Sequence, residues 1–435
     1  MKKITMSAVA LTAIMGSFNS VSADGINILD DLVLDGEIRP RYEMVDDGDI
    51  NTANADAYTA RTKLKVTGKL MDIEGLTASV GIISVNNFGS HTYNAGDGNV
   101  YYDGSKPYAT VGDPQTAMLS NAELNYKIGD TLLHAGRGQV NLDNQRFIGT
   151  VGWRQLERSY DSVFVANNSI KNLSVLAAWV YGFQGVNANP TTDANTVLLH
   201  AAYTVNDMLK VTAYDYMIAA KKDTVGGFGN DTYGLALTGN FALSGAKLDY
   251  RAEYAVQKDA TMKIQDTPAA VAAGRFKADA YYYNLDLGAN ISGILAGVNY
   301  ELLSGANATG TETNFTTPLA TGHKFNGWAD SASSANGGLI DFNVRLGYTA
   351  KGFGKLLAVY HDFTADTTSV NGTTYTSDDK GSEIDVVYVN KVPGVNGLTG
   401  MLKYADFSKA DINSGGTTRD VTKFWAMLDY KFSTK

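Results

Sequence analysis

The chain has no cysteine, and only 7 of its 435 residues are proline. The first absence excludes disulfides and any spaced cysteine–histidine metal set. Long apolar runs are also missing. Beyond the first two dozen residues no segment approaches the ~18 continuous apolar residues of a transmembrane helix. Histidine is scarce at 5 residues, and none falls in a His-Glu-x-x-His pattern, so no catalytic site, metal site or cofactor is expected and the chain does not read as an enzyme. His361-Asp362 could suggest a protease dyad, but a strand end near an outer interface accounts for it better. A basic excess is absent too: the formal charge is −9, which argues against nucleic acid as a partner. Asp46-Asp47-Gly48-Asp49 lacks full calcium-loop spacing and reads as a solvated acidic turn.

What is present begins with a leader. Met1-Lys2-Lys3, an apolar run from Ile4 to Met15 and then Val21-Ser22-Ala23 are the parts of a secretory signal. Cleavage is expected after Ala23, leaving one domain over 24–435. Thereafter the sequence is a train of about eighteen alternating segments of roughly ten residues. In the segment 34–45, Leu34, Gly36, Ile38, Tyr42 and Met44 fall on one face and Asp35, Glu37, Arg39, Arg41 and Glu43 on the other. In 58–70, Arg61, Lys63, Lys65 and Lys69 oppose Leu64, Val66 and Leu70. Further on, Asp249, Arg251 and Glu253 oppose Tyr250, Ala252 and Tyr254, and Lys423, Asp429 and Lys431 oppose Phe424, Leu428 and Tyr430. Pro40 cannot donate to a ladder, so a bulge or gap is expected there.

The links between segments alternate short and long. Tight links lie at 129–130, 205–207, 244–245, 290–293 and 351–354, and long polar stretches near 46–57, 88–116, 140–157, 185–195, 220–231, 258–276, 304–338, 364–380 and 408–421. This is the rhythm of an all-β fold, a transmembrane antiparallel up-and-down β-barrel of about 18 strands in the bacterial outer membrane. Tight turns face the periplasm and long loops face outward. The stretch 304–338 is the longest and holds Phe315, Phe325 and Trp328, aromatics that need burial, so it is expected to fold into the pore. Ser433-Thr434-Lys435 follow the aromatic end of the last segment and are expected in the periplasm.

Two stretches carry more specific information. One runs Gly136-Arg137-Gly138-Gln139, Asn141-Leu142-Asp143-Asn144-Gln145-Arg146-Phe147-Ile148-Gly149, Gly152-Trp153-Arg154-Gln155 and Tyr160-Asp161. The other runs from Thr317 through His323 and Trp328 to Asp330. In both, the chain resembles outer-membrane porins of the alginate-export-like family, over most of its length. It departs where Gly138 separates Arg137 from Gln139 and where Ser331-Ala332-Ser333 follow the loop aspartate. The resemblance implies a lumen narrowed by inward loops, with Arg137, Arg146 and Arg154 at the lumen or constriction and Asp143, Asp161 and Asp330 as their acidic partners.

Barrel closure adds a further set. The last, first and second segments must be neighbours, so Arg39, Arg41, Arg61, Lys63, Lys65 and Lys423 share one wall with Glu37 and Glu43. That wall reads either as a basic stripe acting on ions or as ordinary lumen ion pairing. Arg251 adds a lumen cation elsewhere. Passive diffusion of small hydrophilic solutes and ions is the function expected. A substrate-specific channel for anionic oligosaccharides or organic acids is the first alternative, and a plugged structural or adhesive barrel the second. Expected partners are outer-membrane lipid and lipopolysaccharide, the solutes and the barrel assembly machinery. Monomer and homotrimer both stay open.

Overall fold

A computed structural model describes residues 21–23, 26–89, 91–220, 228–259, 277–309, 312–335, 337–370 and 372–435. Residues 1–20 of the expected leader, and the outer stretches 221–227 and 260–276, lie outside these. Among the described residues eighteen long strands form one barrel. They are β1 Ile26–Asp46, β2 Ala55–Leu70, β3 Leu76–Asn87, β4 Thr116–Ile128, β5 Thr131–Gly138 and β6 Ser159–Asn167. There follow β7 Leu173–Gln184, β8 Thr192–Asn206, β9 Leu209–Ala220, β10 Phe228–Leu243, β11 Ala246–Asp259 and β12 Lys277–Ile291. The last six are β13 Ile294–Leu303, β14 Leu339–Ala350, β15 Gly354–Thr364, β16 Asp379–Lys391, β17 Leu398–Ser408 and β18 Val421–Ser433.

Each strand pairs antiparallel with the next, and β18 closes on β1 with Arg41 opposite Met427. Closure leaves no edge unpaired, which is what a backbone in hydrocarbon requires. Most strands run a few residues past their alternating segments, because pairing continues where the pattern has already given way to loop chemistry. Asn206 belongs to β8, and the turn there is Asp207-Met208. At Ser244-Gly245 both turn residues have positive φ, 46° and 87°, the geometry of a two-residue hairpin turn that matches strand twist.

Pro40 produces a gap and no bulge. Ladder pairing to β18 resumes at Arg41 after Ile38, in the same register, while Arg39 and Pro40 stay paired with Arg61 and Ala60 of β2. At the C-terminus the Thr434 N–H donates to the Leu34 carbonyl at 3.0 Å, which carries the pairing of β18 with β1 one residue past the strand. Val21–Ala23 pairs antiparallel with Ile26–Leu29 at the start of β1.

The two faces separate as alternation requires. Ile38 is 45% exposed, whereas Arg39 beside it is 6% exposed. Outward aromatics form bands at both ends. Tyr254 stacks near Tyr283 at 5.1 Å between centroids on the outer side, and Phe353 contacts Tyr348 and Tyr388 on the periplasmic side. Tyr250 belongs to the periplasmic band, because its hydroxyl donates to the Met208 carbonyl in the adjacent turn at 2.9 Å. Inside, loop residues supply an apolar mass. Phe147, Phe315 and Leu319 pack on Tyr214 and Tyr282 of the wall. Phe315 is fully buried, so the stretch 304–338 does fold into the barrel.

Candidate functional site: the constriction

The loop 139–158 lies against the wall formed by β1 and β2. Its carbonyls accept hydrogen bonds from the wall arginines: Arg39 donates to Gly152 at 2.9 Å and Arg41 to Trp153 at 2.8 Å. Arg61 reaches the carbonyls of Gly152 and Arg154 at 3.4 and 3.3 Å. The Gln155 amide returns a bond to the Arg39 carbonyl at 3.1 Å. Guanidinium forks can serve several acceptors at once, which suits them to holding an irregular backbone.

Carboxylates surround these cations. Glu37 takes Arg39 at 2.6 Å and Arg61 at 2.7 Å. Arg41 is paired with Glu43 and with Asp113 of the loop 88–115. Lys63 pairs with Glu157 and Lys65 with Glu123. The basic stripe is therefore an ion-paired dock for a loop. Arg39, Arg41 and Arg61 are 6%, 3% and 3% exposed, so they do not stand in open lumen as pore-lining charges. The sequence could not show this, because the loop that covers them lies about a hundred residues away.

Two of the three arginines meet an aspartate that the resemblance implies, and Arg146 does not. Arg137 and Asp161 do meet, through two bonds of 2.7 Å. They sit opposite one another next to Ala135 and Val163 on the outward face, not in the lumen. Strand parity dictates this, since Val163 and Val165 point outward and Ser162 and Tyr160 inward. Asp143 pairs with Arg251 and not with Arg146. Arg146 instead spans to Glu301 of β13 at 2.8 Å and to the Asn326 amide oxygen at 2.9 Å. Burial works against its charge, but Glu301 beside it holds the guanidinium above its ordinary pKa. Arg154 faces Glu43 at 3.3 Å and Asp330 at 3.7 Å. Asp330 also bonds His323 at 3.0 Å and lies 3.6 Å from Lys423.

The two inward loops meet directly. The Gly149 N–H donates to the Leu319 carbonyl at 2.9 Å, and the Thr321 N–H to the Gln145 carbonyl at 3.1 Å. The tip of 304–338 is fastened to β16, which β17 and β18 separate from β1. Its Trp328 N–H donates to Asp385 at 3.1 Å and its Ala329 N–H to Glu383 at 2.7 Å. Gly327 has φ +81° and lies directly over the Glu383 carboxylate, where a side chain would collide.

Beneath this tip lies a polar chamber of about 360 Å³. Arg251, Lys324 and Arg345 line it together with Asp286, Glu301 and the Asn299 amide. Arg345 forks onto Asp286 at 2.7 and 2.5 Å. Lys324 bonds the Asn144 carbonyl at 3.0 Å and has no carboxylate partner among the described residues. Alternation places Arg345 on the lumen face with Asp341 and Asn343, opposite Ile340, Phe342 and Val344, and the same alternation in β12 and β13 puts Asp286 and Glu301 there. His361 bonds Asp341 on the neighbouring strand at 2.9 Å, while Asp362 turns outward, so the His361-Asp362 dyad is split by strand parity. The acidic turn is engaged locally: Asp49 pairs with Arg419 and Asp47 accepts from Thr52.

No family model matches this chain, and no curated protein sequence matches it. Solved structures do. OccAB4 of Acinetobacter baumannii shares 14% identity, covers 93% of this chain and 99% of its own, and superposes with a TM-score of 0.69. OccK8 (OprE) of Pseudomonas aeruginosa and OpdK of the same organism, solved with vanillate, each match at 14% identity, 93% and 99% coverage and a TM-score of 0.67. OpdK is described as an outer membrane protein. At this identity the likeness is one of fold: a closed eighteen-stranded barrel of the outer-membrane type. The alginate-export-like family itself is not confirmed.

Proposed function

We propose that this chain is an outer-membrane porin through which small hydrophilic solutes and ions diffuse passively. One observation carries the reading. Two loops enter the barrel, bond to each other and to the wall, and leave a charged polar chamber beside them. A barrel that only needed stability could fill its lumen with apolar side chains. Buried ion pairs are an expensive filling and are often no better than hydrophobic ones. The constriction residues are Arg146, Arg154, Arg251, Asp143 and Asp330, with Lys63 and Lys65 below the docked loop.

The leader 1–23 directs export, and the barrel assembly machinery inserts the chain among lipid and lipopolysaccharide. The alginate-export-like likeness in the two motif stretches fits such a pore. A channel specific for small organic acids or anionic oligosaccharides is the second reading. Lys324 and Arg345 at the chamber and the vanillate-bound neighbour, a barrel crystallised with an aromatic carboxylate, favour it.

Single-channel current across a planar bilayer tests the pore, and reversal potential under a salt gradient tests its selectivity. A folded barrel that passes no current would make the chain a plugged structural barrel. Flux that saturates with a carboxylate, and is blocked by it, would favour the specific channel over general diffusion.

A further inference from the structure

Three of the chain's 4 tryptophans converge on a single ammonium. Lys403 projects inward from β17, and its Nζ lies 4.2 Å from the ring centroid of Trp328, 5.0 Å from Trp425 and 5.5 Å from Trp153. It also hydrogen-bonds His323 Nε2, and that imidazole stacks face to face on Trp153. Trp153 belongs to the loop 139–158. His323 and Trp328 belong to 304–338, and Trp425 lies in β18 of the wall. One side chain thus touches both inward loops and the barrel.

We propose that Lys403 is the positioning residue of the constriction, a cation clasped by three indoles and an imidazole that locks the two loops together and sets the aperture. This rests on reading the barrel as a diffusion pore. A cation over an aromatic face is attracted by the ring quadrupole, more strongly where water is excluded, and here three faces share one charge. Other ties hold 139–158 to β1, β2, β11 and β13, hold 304–338 to β16, and join the loops to each other through Gly149–Leu319, Thr321–Gln145 and Arg154–Asp330. The clasp is the point where a single charge joins both loops to β17 and β18.

The clasp also has a defined protonation state. His323 Nε2 accepts from the Lys403 ammonium, so Nδ1 carries the hydrogen and donates to Asp330 at 3.0 Å. A second proton on the ring would set cation against cation. Burial pushes the imidazole well below its ordinary pKa, and Lys403 and Arg154 push it further, against the pull of Asp330. Burial opposes the Asp330 charge, but His323, Lys423 and Arg154 around it hold its carboxyl below the usual range. From the other packed elements, Asp385 of β16 and Glu43 and Arg41 of β1 face Lys403.

A released loop would return His323 to a pKa of ~6.5. The seated state is therefore fully favoured above that pH and loses ground as pH falls below it. Asp330 acts in the same direction at lower pH. Acid loosens the clasp.

The experiment is single-channel recording of the parent, Lys403→Met, Lys403→Arg and His323→Gln, each refolded and checked for heat-modifiable migration. At pH 7.5 Lys403→Met should conduct roughly twofold more than the parent, with added open-channel noise, and Lys403→Arg should restore parent-like current. The parent should become noisier and more conductive between pH 7 and pH 5. His323→Gln, which keeps a donor and an acceptor but cannot take the extra proton, should match the parent at pH 7.5 and lose the acid response. A Lys403→Met barrel with the parent's conductance and noise overturns the proposal. If that variant fails to fold, an acid response that survives in His323→Gln overturns it instead. A parent barrel that never conducts refutes the pore reading and not the clasp, which tryptophan emission of the parent and of His323→Gln across the same pH range would then test.

Discussion

Arg146 and Glu301 are 155 positions apart and meet inside the barrel at 2.8 Å, both almost fully buried. One comes from an inward loop and the other from the wall of β13. Truncating one partner of a buried pair leaves the other charged and unpaired, which typically costs 3–5 kcal/mol. Arg146→Met should therefore destabilise the seated loop by about that much, and Arg146→Met with Glu301→Gln should cost less than the arginine change alone. Protease nicking of 139–158 in the intact barrel reads the result. Additive effects would show that the pair is not coupled.

Depth in the membrane sets the penalty for an outward charge. Val298, 42% exposed at the middle of β13, should cost roughly 2–4 kcal/mol when changed to Arg. Tyr250→Arg should cost only ~0–1 kcal/mol, because that residue sits in the periplasmic aromatic band. Asp249→Arg, on the lumen face, should be similarly mild. Reversible unfolding into lipid vesicles gives all three values, and a Tyr250 penalty equal to that of Val298 would contradict the band.

Shortening 304–338 between Glu312 and Ala335 removes Phe315, Trp328 and the bonds to Asp385 and Glu383. Single-channel conductance should rise. An unchanged conductance in a correctly folded deletion would remove this loop from the constriction.

Charge reversals should separate docking from selectivity. Lys324 is exposed and bonds only a carbonyl, so Lys324→Glu should shift the reversal potential toward cations at low salt. That shift should shrink as salt shortens the Debye length from about 30 Å at 0.01 M to about 10 Å at 0.1 M. Arg39→Glu with Arg41→Glu should chiefly unseat 139–158, giving noise and a larger conductance. A clean selectivity shift with a quiet pore would return those arginines to the open lumen.

Alternation made the barrel legible. A period of two across many segments, with gaps of unequal length, leaves one closed topology, and the links 290–293 and 304–338 bound β13 to the residue. The site was legible only in part. The sequence marks Arg146 as special but not that it touches Glu301, 155 positions away, whereas Arg154 does lie against the expected Asp330. Arg137 and Asp161 belong to the motif yet stand on the outward face, because strand parity and not motif membership sets side-chain direction. Lys403 and Trp425 escaped notice because a clasp built from four separate elements has no signature in any one of them.

Nearly every charge beneath the loops has its opposite within reach, and Lys324 is an exception among the described residues. The electric potential inside the lumen is thus a small remainder left by large cancelling contributions. Such a remainder can change sign through one substitution at an exposed position, with no strand or loop disturbed. Lineages sharing this architecture could diverge in what they admit far faster than in how they fold. That fits a barrel whose fold matches a solved barrel over 93% of its length at 14% identity.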